Sequence, residues 1–385
     1  MGIKLGNICK FQSGGTPTKK NPAYFNGTIP WITTTALNGR KIGKENAVDW
    51  ISEKAIEESA AKIVPAFSIM VGTRVGIGKV AINTVDMSTS QDIVSLVDID
   101  ESAWNKEFIC KFLQGKSKFL NAQARGATIK GIKIDVLSAL ELPKISIEEQ
   151  IYISKVIDEV KIIINSRKQQ LEKLDKIVKA RFVEMFGDPV LNEKGWKIVT
   201  VGDIVTEVRY GTSKPAVEGG KYPYLRMNNL TADGHLDLKD LKYIDISEDE
   251  IEKCVVRKGD VLFNRTNSIE LVGKTAVFDL TEEMVIAGYI IRVRLNKEML
   301  PVVFSQYMNL EPLKVILRGM AKGAVNQANI NAQELQSIKV YIPDMKLQNQ
   351  FADFVQQIDK SKDSVQKALD EAQLLFDSLM QQYFG

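Results

Sequence analysis

The sequence predicts an α+β fold in which two duplicated, mixed α/β domains are separated by two long helices that form an antiparallel coiled coil. Its 385 residues are enough for two or three domains. Six short segments recur in the same order, at offsets of 193 to 200 residues. Each copy is followed by a long segment without Gly or Pro, at 147–186 and at 346–384. We therefore predict domains over residues 1–145 and 188–343, and long helices over residues 146–187 and 344–385.

The internal repeat is visible as matched segments whose order is the same in both halves. The pairs are LGNI at 5 and VGDI at 201, GGTP at 14 and YGTS at 210, IPWI at 29 and YPYL at 222, GKVAI at 78 and GKTAV at 273, RGATIKGI at 125 and KGAVNQANI at 322, and LPKISIEEQ at 142 and IPDMKLQNQ at 342. This period is far longer than the roughly 20–50 residues of solenoid repeats, which indicates a duplicated domain. Trp31 and Tyr224 stand at equivalent positions and are interpreted as core residues.

Both long helices carry an apolar heptad pattern. Eight of ten a and d positions are apolar between residues 147 and 186, and nine of eleven between 346 and 384. Heptads of this length predict a coiled coil. The alternative is a pair of amphipathic helices packed on a sheet, but about 40 residues span ~60 Å, which is longer than a small domain. Gly187 and Pro189 mark the end of the first helix.

The segments between the helices indicate a mixture of strands and helices. IIRVRL at 290–295 alternates, with the isoleucine at 291, the valine and the leucine on one face and the two arginines on the other. SIKVYI at 337–342 alternates as well, and DIVSLVDI at 92–99 is predicted to be a buried strand. GDPVLNEKGW at 187–196 connects the two halves.

Composition excludes several classes of protein. No apolar run is long enough to cross a bilayer and the N-terminal residues lack the apolar core of a signal peptide, so we expect neither a membrane span nor export. Cys9, Cys110 and Cys254 lie far apart, which favours a reducing, cytoplasmic location over a disulfide framework. The single histidine, His235, is interpreted as an exposed loop residue. A net charge of +3 is too small for a chain that holds nucleic acid by charge alone.

Three motif searches indicate that the chain is not an enzyme. NPAYF at 21–25 has Ala23 where an amino-methyltransferase motif needs a second proline, and no Gly-rich loop for a methyl donor follows a strand. The Gly-Lys pairs at 78 and 273 lack the first glycine of a phosphate-binding loop. Pro343–Asp344 is not followed by the acidic-x-Lys sequence of a metal-dependent nuclease. We therefore predict neither catalytic nor metal-binding residues.

The segment KLGNICKFQSGGTPTKKNPAYFNGTIPWITTTAL resembles the opening of a target recognition domain in the specificity subunits of type I restriction–modification systems. GGTP, NPAYF and IPWI occur in that family's order, and LPKISIEEQ leading into a long helix and then FGDP resembles its conserved region. VGDI, YPYL and IPDMKLQNQ repeat the pattern in the second half. The second half departs from it in YGTSKP, which lacks the GGTP form and is not followed by NPxY.

The resemblance implies a non-catalytic DNA-binding subunit. Each recognition domain is expected to read one half of a bipartite site in double-stranded DNA, while the helices set the spacer and dock two DNA methyltransferase (modification) subunits. Restriction subunits join for cleavage. The resemblance implies no cofactor in this chain, with S-adenosylmethionine, ATP and Mg on the partner subunits. The alternative is a stand-alone DNA-binding or scaffold protein of the same architecture without methyltransferase partners.

The candidate DNA-binding residues are polar side chains at equivalent places in the two halves, because base edges are read by Arg, Lys, Asn, Gln, Ser and Thr. They follow the matched aromatic strands, surround the Gly-Lys pairs, and occupy the segments that begin at 125 and 322. In the first half they are Thr33, Thr34, Thr35, Asn38, Arg74, Lys79, Arg125, Thr128 and Lys130. In the second half they are Arg226, Asn228, Asn229, Asn264, Arg265, Asn267, Ser268, Lys274, Lys322, Asn326 and Gln327. Different side chains at equivalent positions are expected of two domains that read different half-sites.

Overall fold

The computed structural model describes residues 2–125, 131–324 and 327–385. The chain divides into two compact units. Unit 1 consists of Met1–Arg167 and Ala368–Gly385, and unit 2 consists of Lys168–Lys367. Each unit therefore combines one copy of the repeat with part of both long helices, whereas the boundaries predicted from the sequence separate the helices from the domains.

Unit 1 contains short strands and short helices before the first long helix. Its strands are β1 (Gly2–Lys4), β2 (Lys10–Ser13), β3 (Ile29–Ile32), β4 (Lys41–Ile42), β5 (Asp49–Ile51), β6 (Ile63–Val64), β7 (Ile69–Gly72), β8 (Val80–Asn83), β9 (Met87–Thr89), β10 (Ile93–Val97) and β11 (Glu141–Pro143). Its helices are α1 (Glu53–Glu58), α2 (Lys106–Gly115), α3 (Ser117–Gln123) and α4 (Ile134–Ser138), and the long α5 (Ile147–Phe186) begins in it.

The strands of unit 1 form two main sheets and one separate pair. The orders are β2-β10-β7-β8-β4 and β5-β3-β9-β6, and β1 pairs with β11. β7 and β10 are buried along nearly their whole length because apolar residues face both sides. The predicted strand over residues 92–99 is β10, and α2 covers its sheet with the buried side chains of Phe108 and Phe112.

Unit 2 repeats this succession of elements. Its strands are β12 (Lys197–Thr200), β13 (Val205–Tyr210), β14 (Tyr222–Leu225), β15 (Lys242–Ile244), β16 (Val255–Val256), β17 (Val261–Asn264), β18 (Thr266–Asn267), β19 (Thr275–Val277), β20 (Met284–Ile286), β21 (Ile290–Leu295), β22 (Lys322–Ala324), β23 (Gln327–Asn329) and β24 (Lys339–Ile342). Its helices are α6 (Val201–Ile204), α7 (Glu248–Cys254), α8 (Pro301–Asn309), α9 (Glu311–Met320) and α10 (Ala332–Ser337), and the long α11 (Met345–Phe384) begins in it.

The two units share most of their sheet topology, although among the described residues the edge strand β4 is particular to unit 1 and the sheet β18-β23-β22 to unit 2. The order β13-β21-β17-β19 repeats β2-β10-β7-β8, the order β15-β14-β20-β16 repeats β5-β3-β9-β6, and β12-β24 repeats β1-β11. Buried Trp31 donates its indole N–H to Gly15 O at 3.1 Å, and buried Tyr224 donates its hydroxyl to Thr212 O at 3.2 Å. The predicted duplication and the core position of both aromatic residues are confirmed.

Strand β21 has the bounds that its alternating pattern predicts, but its polar face is not open to water. Arg292 is 1% exposed because the end of α7 lies over this side of the sheet. Its guanidinium donates to Val255 O and pairs with the Glu207 carboxylate, and Arg294 pairs with Asp260 at 2.8 Å. Both arginines can be accommodated in this largely buried strand because each guanidinium has a carboxylate partner.

The long helices pack against each other in antiparallel directions within unit 1. Phe384, at the end of α11, shares a core cluster with Ile153 near the start of α5. Further along, the Lys161 ammonium lies 5.6 Å from the ring centre of Phe376. The Phe384 ring also lies 5.2 Å from that of Phe108. The last turn of α11 therefore completes the core of unit 1.

Within unit 2 the same two helices again run in opposite directions. The rings of Phe182 and Phe351 are 5.4 Å apart, and the Lys362 ammonium pairs with Asp175. The helix end after Phe186 is held by buried tyrosine hydroxyls, one of which donates from Tyr341 to Gly187 O at 3.0 Å. Gly187 adopts a φ of +83°, as a glycine helix terminator does. The heptad residues that lie nearest to the globular domains pack into the cores of those domains. The long helices therefore pack against each other, as in a coiled coil, and also against the domains.

A buried glutamine anchors the first turn of each long helix. In unit 1, Gln150 accepts a hydrogen bond from Asn105 N and donates to Ala103 O and Ile145 O. In unit 2, Gln348 accepts from the backbone amide before α8 and donates to carbonyl oxygens at 298 and 343. Both side chains are 0% exposed and fully bonded, so the helices start at fixed points on their domains. None of the helices among the described residues has the length and apolar character needed to cross a bilayer.

Candidate nucleic-acid interface

The first group of predicted DNA-binding residues follows β3 in unit 1 and β14 in unit 2. Thr35, Asn38 and Asn228 are exposed, and Thr33 and Arg226 are partly exposed. The hydroxyls of Thr33 and Thr35 lie 2.8 Å apart, and Arg226 pairs with an aspartate at 2.8 Å. Three side chains of this group can therefore reach a ligand without a change in the fold.

Four predicted interface residues are buried and serve the fold instead. Thr34 is 4% exposed, Asn229 2%, Asn264 0% and Lys274 8%. Asn229 and Asn264 donate their amide hydrogens to backbone carbonyl oxygens of neighbouring turns, and Lys274 donates to the carbonyls at 227 and 230. All four have little exposed surface, and the polar groups of Asn229, Asn264 and Lys274 are already bonded, so these four residues do not belong to the candidate interface.

A second buried lysine supports the Gly-Lys turn of unit 2. The Lys314 ammonium donates to Gly273 O. Burial, assisted by the nearby cations of Arg318 and Lys179, lowers the pKa of Lys314 from 10.5 to about 7. No pattern in the sequence indicates this environment, because an amphipathic helix such as α9 carries its lysines on the outer face by default.

The low pKa of Lys314 predicts a pH dependence of stability. The unfolded chain keeps this proton up to pH 10.5, whereas the folded chain releases it near pH 7, so the free energy of unfolding should rise with pH in that window. The slope from one such group is at most ~1.4 kcal/mol per pH unit. Lys314→Met should flatten the slope and raise stability at neutral pH, as measured by urea unfolding. The exposed Lys258→Met serves as the control, and an unchanged slope in Lys314→Met contradicts the prediction.

The structure brings the second and third predicted groups together in unit 1. Arg125 pairs with Gly131 in an isolated bridge, and the amide of Ile132 donates to Thr73 O at 2.8 Å. Gly131 therefore lies directly beside Arg74. Arg74 and Arg125 are exposed, as is Lys79. Thr128 and Lys130 lie outside the described residues.

Unit 2 places the corresponding residues in a small sheet. β18, which contains Asn267, pairs with β23, and β23 pairs with β22 in the order β18-β23-β22. Gln327 and Lys322 stand at the exposed ends of this hairpin, and Lys322 pairs with Glu334. The Asn267 amide group bonds to a neighbouring asparagine at 2.8 Å, and Ser268 is partly exposed. Asn326 lies outside the described residues.

Each unit also has a cavity beside these groups. In unit 1 a cavity of about 890 Å³ is lined by Asn38, Lys79, Arg40 and Lys161, among others. Within the residues that the structure describes, no carboxylate lies within 4.0 Å of Arg40, Arg74 or Arg125. Arg40 and Lys161 are not among the residues predicted from the sequence, although Arg40 follows the polar segment that ends at Asn38, and no pattern in the helix distinguishes Lys161. The cations without acidic partners give unit 1 a surface suited to a polyanion.

An ionic cluster in unit 2 joins the loop before β15 to both long helices. His235 lies in this loop with a side chain 41% exposed, and its Nε2 is 3.0 Å from the Lys362 ammonium. A ring nitrogen of His235 and one oxygen each of Asp175 and Asp233 lie within 4.8 Å of one another, a spacing at which such groups can hold a metal ion. The Lys362 ammonium already contacts both carboxylates, so the arrangement is an ion-pair network that fixes the loop.

One known family matches nearly the whole chain. The family model for the type I restriction modification DNA specificity domain matches residues 2–175 and 193–373. The MjaIX type I specificity subunit of Methanocaldococcus jannaschii is 30% identical over 59% of this chain, which spans 57% of that relative's length. The EcoKI specificity subunit of Escherichia coli K12 is 25% identical over 95% of this chain and 84% of its own length.

Two solved structures share the fold. A type I restriction–modification S subunit from M. genitalium matches with a TM-score of 0.56 and 16% identity, covering 100% of this chain and 96% of its own. A chain from a structure on complex assembly and conformational transition of the type I R-M system matches with a TM-score of 0.63 and 15% identity, covering 100% and 97%. Both matches span the two units and the long helices.

Proposed function

The chain belongs to the type I restriction modification DNA specificity family, and from this membership we propose that it is the DNA-recognition subunit of a type I restriction–modification complex. Unit 1 reads one half of a bipartite site and unit 2 reads the other. The chain contributes recognition and no catalysis. The curated relatives carry the name of specificity subunit, in agreement with this role.

One observation carries the proposal. The main sheets of the two units follow the same strand order, apart from the additional edge strand β4 in unit 1, and present different side chains at equivalent places. The turn after β3 offers threonines and Asn38, whereas the turn after β14 offers Arg226 and Asn228. The segment after β7 offers Arg74, and that after β17 offers Arg265 and, in the short strand β18, Asn267. One scaffold with two sets of hydrogen-bonding groups is suited to reading two different DNA sequences.

The partners follow from the same role. We propose that two modification subunits, which bind S-adenosylmethionine, dock on the long helices, and that restriction subunits using ATP and Mg join for cleavage. The small net charge of +3 supports shared DNA binding, because a single near-neutral chain neutralises few phosphates. The isolated chain should therefore hold DNA weakly and with a shallow salt dependence, because the salt dependence grows with the number of phosphates neutralised.

The test compares the full chain alone with the chain co-expressed with a neighbouring modification subunit. We expect no methylation or cleavage by the purified chain, and methylation of one bipartite sequence by the complex, mapped by methylome sequencing. Methyl transfer by the chain alone contradicts the non-catalytic role. Sequence-specific DNA binding without any co-purifying methyltransferase supports the stand-alone alternative instead.

A further inference from the structure

A cavity of about 600 Å³ in unit 2 lies beside the turns that carry candidate interface residues. Its walls are residues 212–216 after β13, residues 226–228 after β14, Arg265, and residues 287–289 before β21. Three lining side chains are charged: Lys214, Arg226 and Arg265. Lys214 pairs with Glu250, and Arg226 pairs with Asp240 at 2.8 Å. Among the residues with described coordinates, no carboxylate lies within 4.0 Å of Arg265, the third lining cation.

Arg265 differs from the other arginines of this unit. Within the described residues, each of the others has a carboxylate within 4.0 Å, and Arg265 has none. The paired ones are Arg181, Arg209, Arg226, Arg257, Arg292, Arg294 and Arg318. A half-buried guanidinium without a carboxylate is costly to maintain, which indicates that a ligand supplies the missing hydrogen-bond acceptors.

The fold holds this guanidinium in one orientation. It lies over the ring of Tyr210 at 4.9 Å, and the Tyr210 hydroxyl accepts a hydrogen bond from Ala332 N at 2.8 Å. One Nη donates to Gly288 O at 3.3 Å. The Arg265 backbone is bonded on both sides, to Tyr289 O and from Ile330 N, each at 2.9 Å. The Nε of Arg265 is buried, so the remaining Nη donors form a fixed planar fork rather than a mobile surface charge.

The walls indicate which ligand fits. Beside the fork they are mainly apolar or aromatic, with Tyr224, Met227 and Tyr289 among them, and Tyr289 is 49% exposed. A phosphate site would gather several unpaired cations or amides, whereas a planar ring suits aromatic walls and one fork. Guanine is the base that offers two adjacent acceptors, O6 and N7, to an arginine.

Building on the proposed function, we propose that this cavity binds a guanine that has left the base stack, with Arg265 on its O6 and N7 edge. Base edges in a duplex are recessed in a groove, so a side chain recessed in a cavity reaches a base only after that base has swung out. The two sources of such a ring are the target duplex and a free guanine nucleotide. The geometry favours the duplex, because the cavity lies beside Asn228 of the candidate interface.

The experiment measures duplex binding by the full chain with its modification subunits, using the sequence mapped above. Each guanine of the two half-sites is placed in turn opposite an abasic site, which lowers the cost of unstacking. We expect tighter binding, by about tenfold, at one guanine of one half-site. Arg265→Ala should abolish the gain, and so should Arg265→Lys, which keeps the charge and loses the fork. Arg209→Ala, which changes a carboxylate-paired arginine in β13 of the same unit, should retain the gain.

Several outcomes overturn the proposal. These are no gain at any guanine, a gain that persists in Arg265→Ala, or uniform weakening of all sequences by Arg265→Ala with full rescue by Arg265→Lys, as a phosphate contact would give. Arg265-dependent binding of millimolar guanosine monophosphate without any abasic effect assigns the cavity to a free nucleotide and also overturns it. If the wild-type complex shows no sequence preference, the proposed function itself fails, which is a distinguishable result.

Discussion

Replacing unit 1 by that of another family member is expected to change one half of the DNA target completely and leave the other half intact. The exchange must include residues 1–167 together with 368–385, because Phe384 packs on Phe108 and Phe112 and shares a core cluster with Ile153 of α5 inside unit 1. The reason for independent half-sites is that each unit has its own sheets and core clusters. Methylome sequencing of cells carrying the chimera gives the new target.

Exchange of residues 1–145 alone is the informative control. It leaves a foreign domain against the native Phe376, Met380 and Phe384, so mismatched packing should cost about 1–5 kcal/mol and lower the amount of active complex. Its target, where any methylation remains, should match that of the full exchange. A chimera in which both half-sites change shows that the units do not read DNA separately.

Paired insertions in the long helices are expected to widen the spacer between the half-sites. Four extra residues lengthen a helix by about 6 Å and add ~40° of helical phase. One or two base pairs add roughly 3–7 Å at 3.4 Å each, and ~35–70° of twist. Placing the insertions within residues 168–172 of α5 and 363–367 of α11 keeps the two helices matched, since Asp175 faces Lys362 and Phe182 faces Phe351. Both half-site sequences should persist with one or two more pairs between them.

Insertion in one helix provides the comparison. It shifts one set of apolar positions against the other, so we expect lower activity and no defined new spacer. The same methylome mapping measures both variants. An active double-insertion variant with the original spacer shows that something other than the helices sets the distance.

The long helices and the strands with a clear alternating pattern could be predicted from the sequence, whereas the shortest strands could not. The long helices occupy Ile147–Phe186 and Met345–Phe384, within one residue of the Gly- and Pro-free segments, because heptads sustained over so many turns admit few alternatives. β21 likewise matches its pattern. Strands such as β16, with two residues, are too short for an alternating pattern to show. They form because partner strands offer them hydrogen bonds, which is tertiary information.

The candidate interface was predicted less well, for a related reason. Lys79 and Lys274 occupy the same place in the repeat, yet the first is exposed and the second is buried with its ammonium on carbonyl oxygens. Residue type does not distinguish them, because the difference depends on how the turn at 227–230 folds over its neighbour. The absence of a carboxylate near Arg265 is likewise a property of the folded neighbourhood. His235, interpreted as a solvated loop residue, proves to contact Lys362 of α11.

The division of the chain has a consequence for its synthesis. Unit 2 is one continuous stretch, Lys168–Lys367, whereas unit 1 needs Ala368–Gly385 to complete its core. On a ribosome, the surface that Phe384 will cover stays open while all of unit 2 and the last part of α11 are made. At ~5–20 residues per second this takes roughly 10–40 s. The domain that leaves the ribosome first is therefore completed last, and during that interval its apolar surface is a target for chaperones and for aggregation.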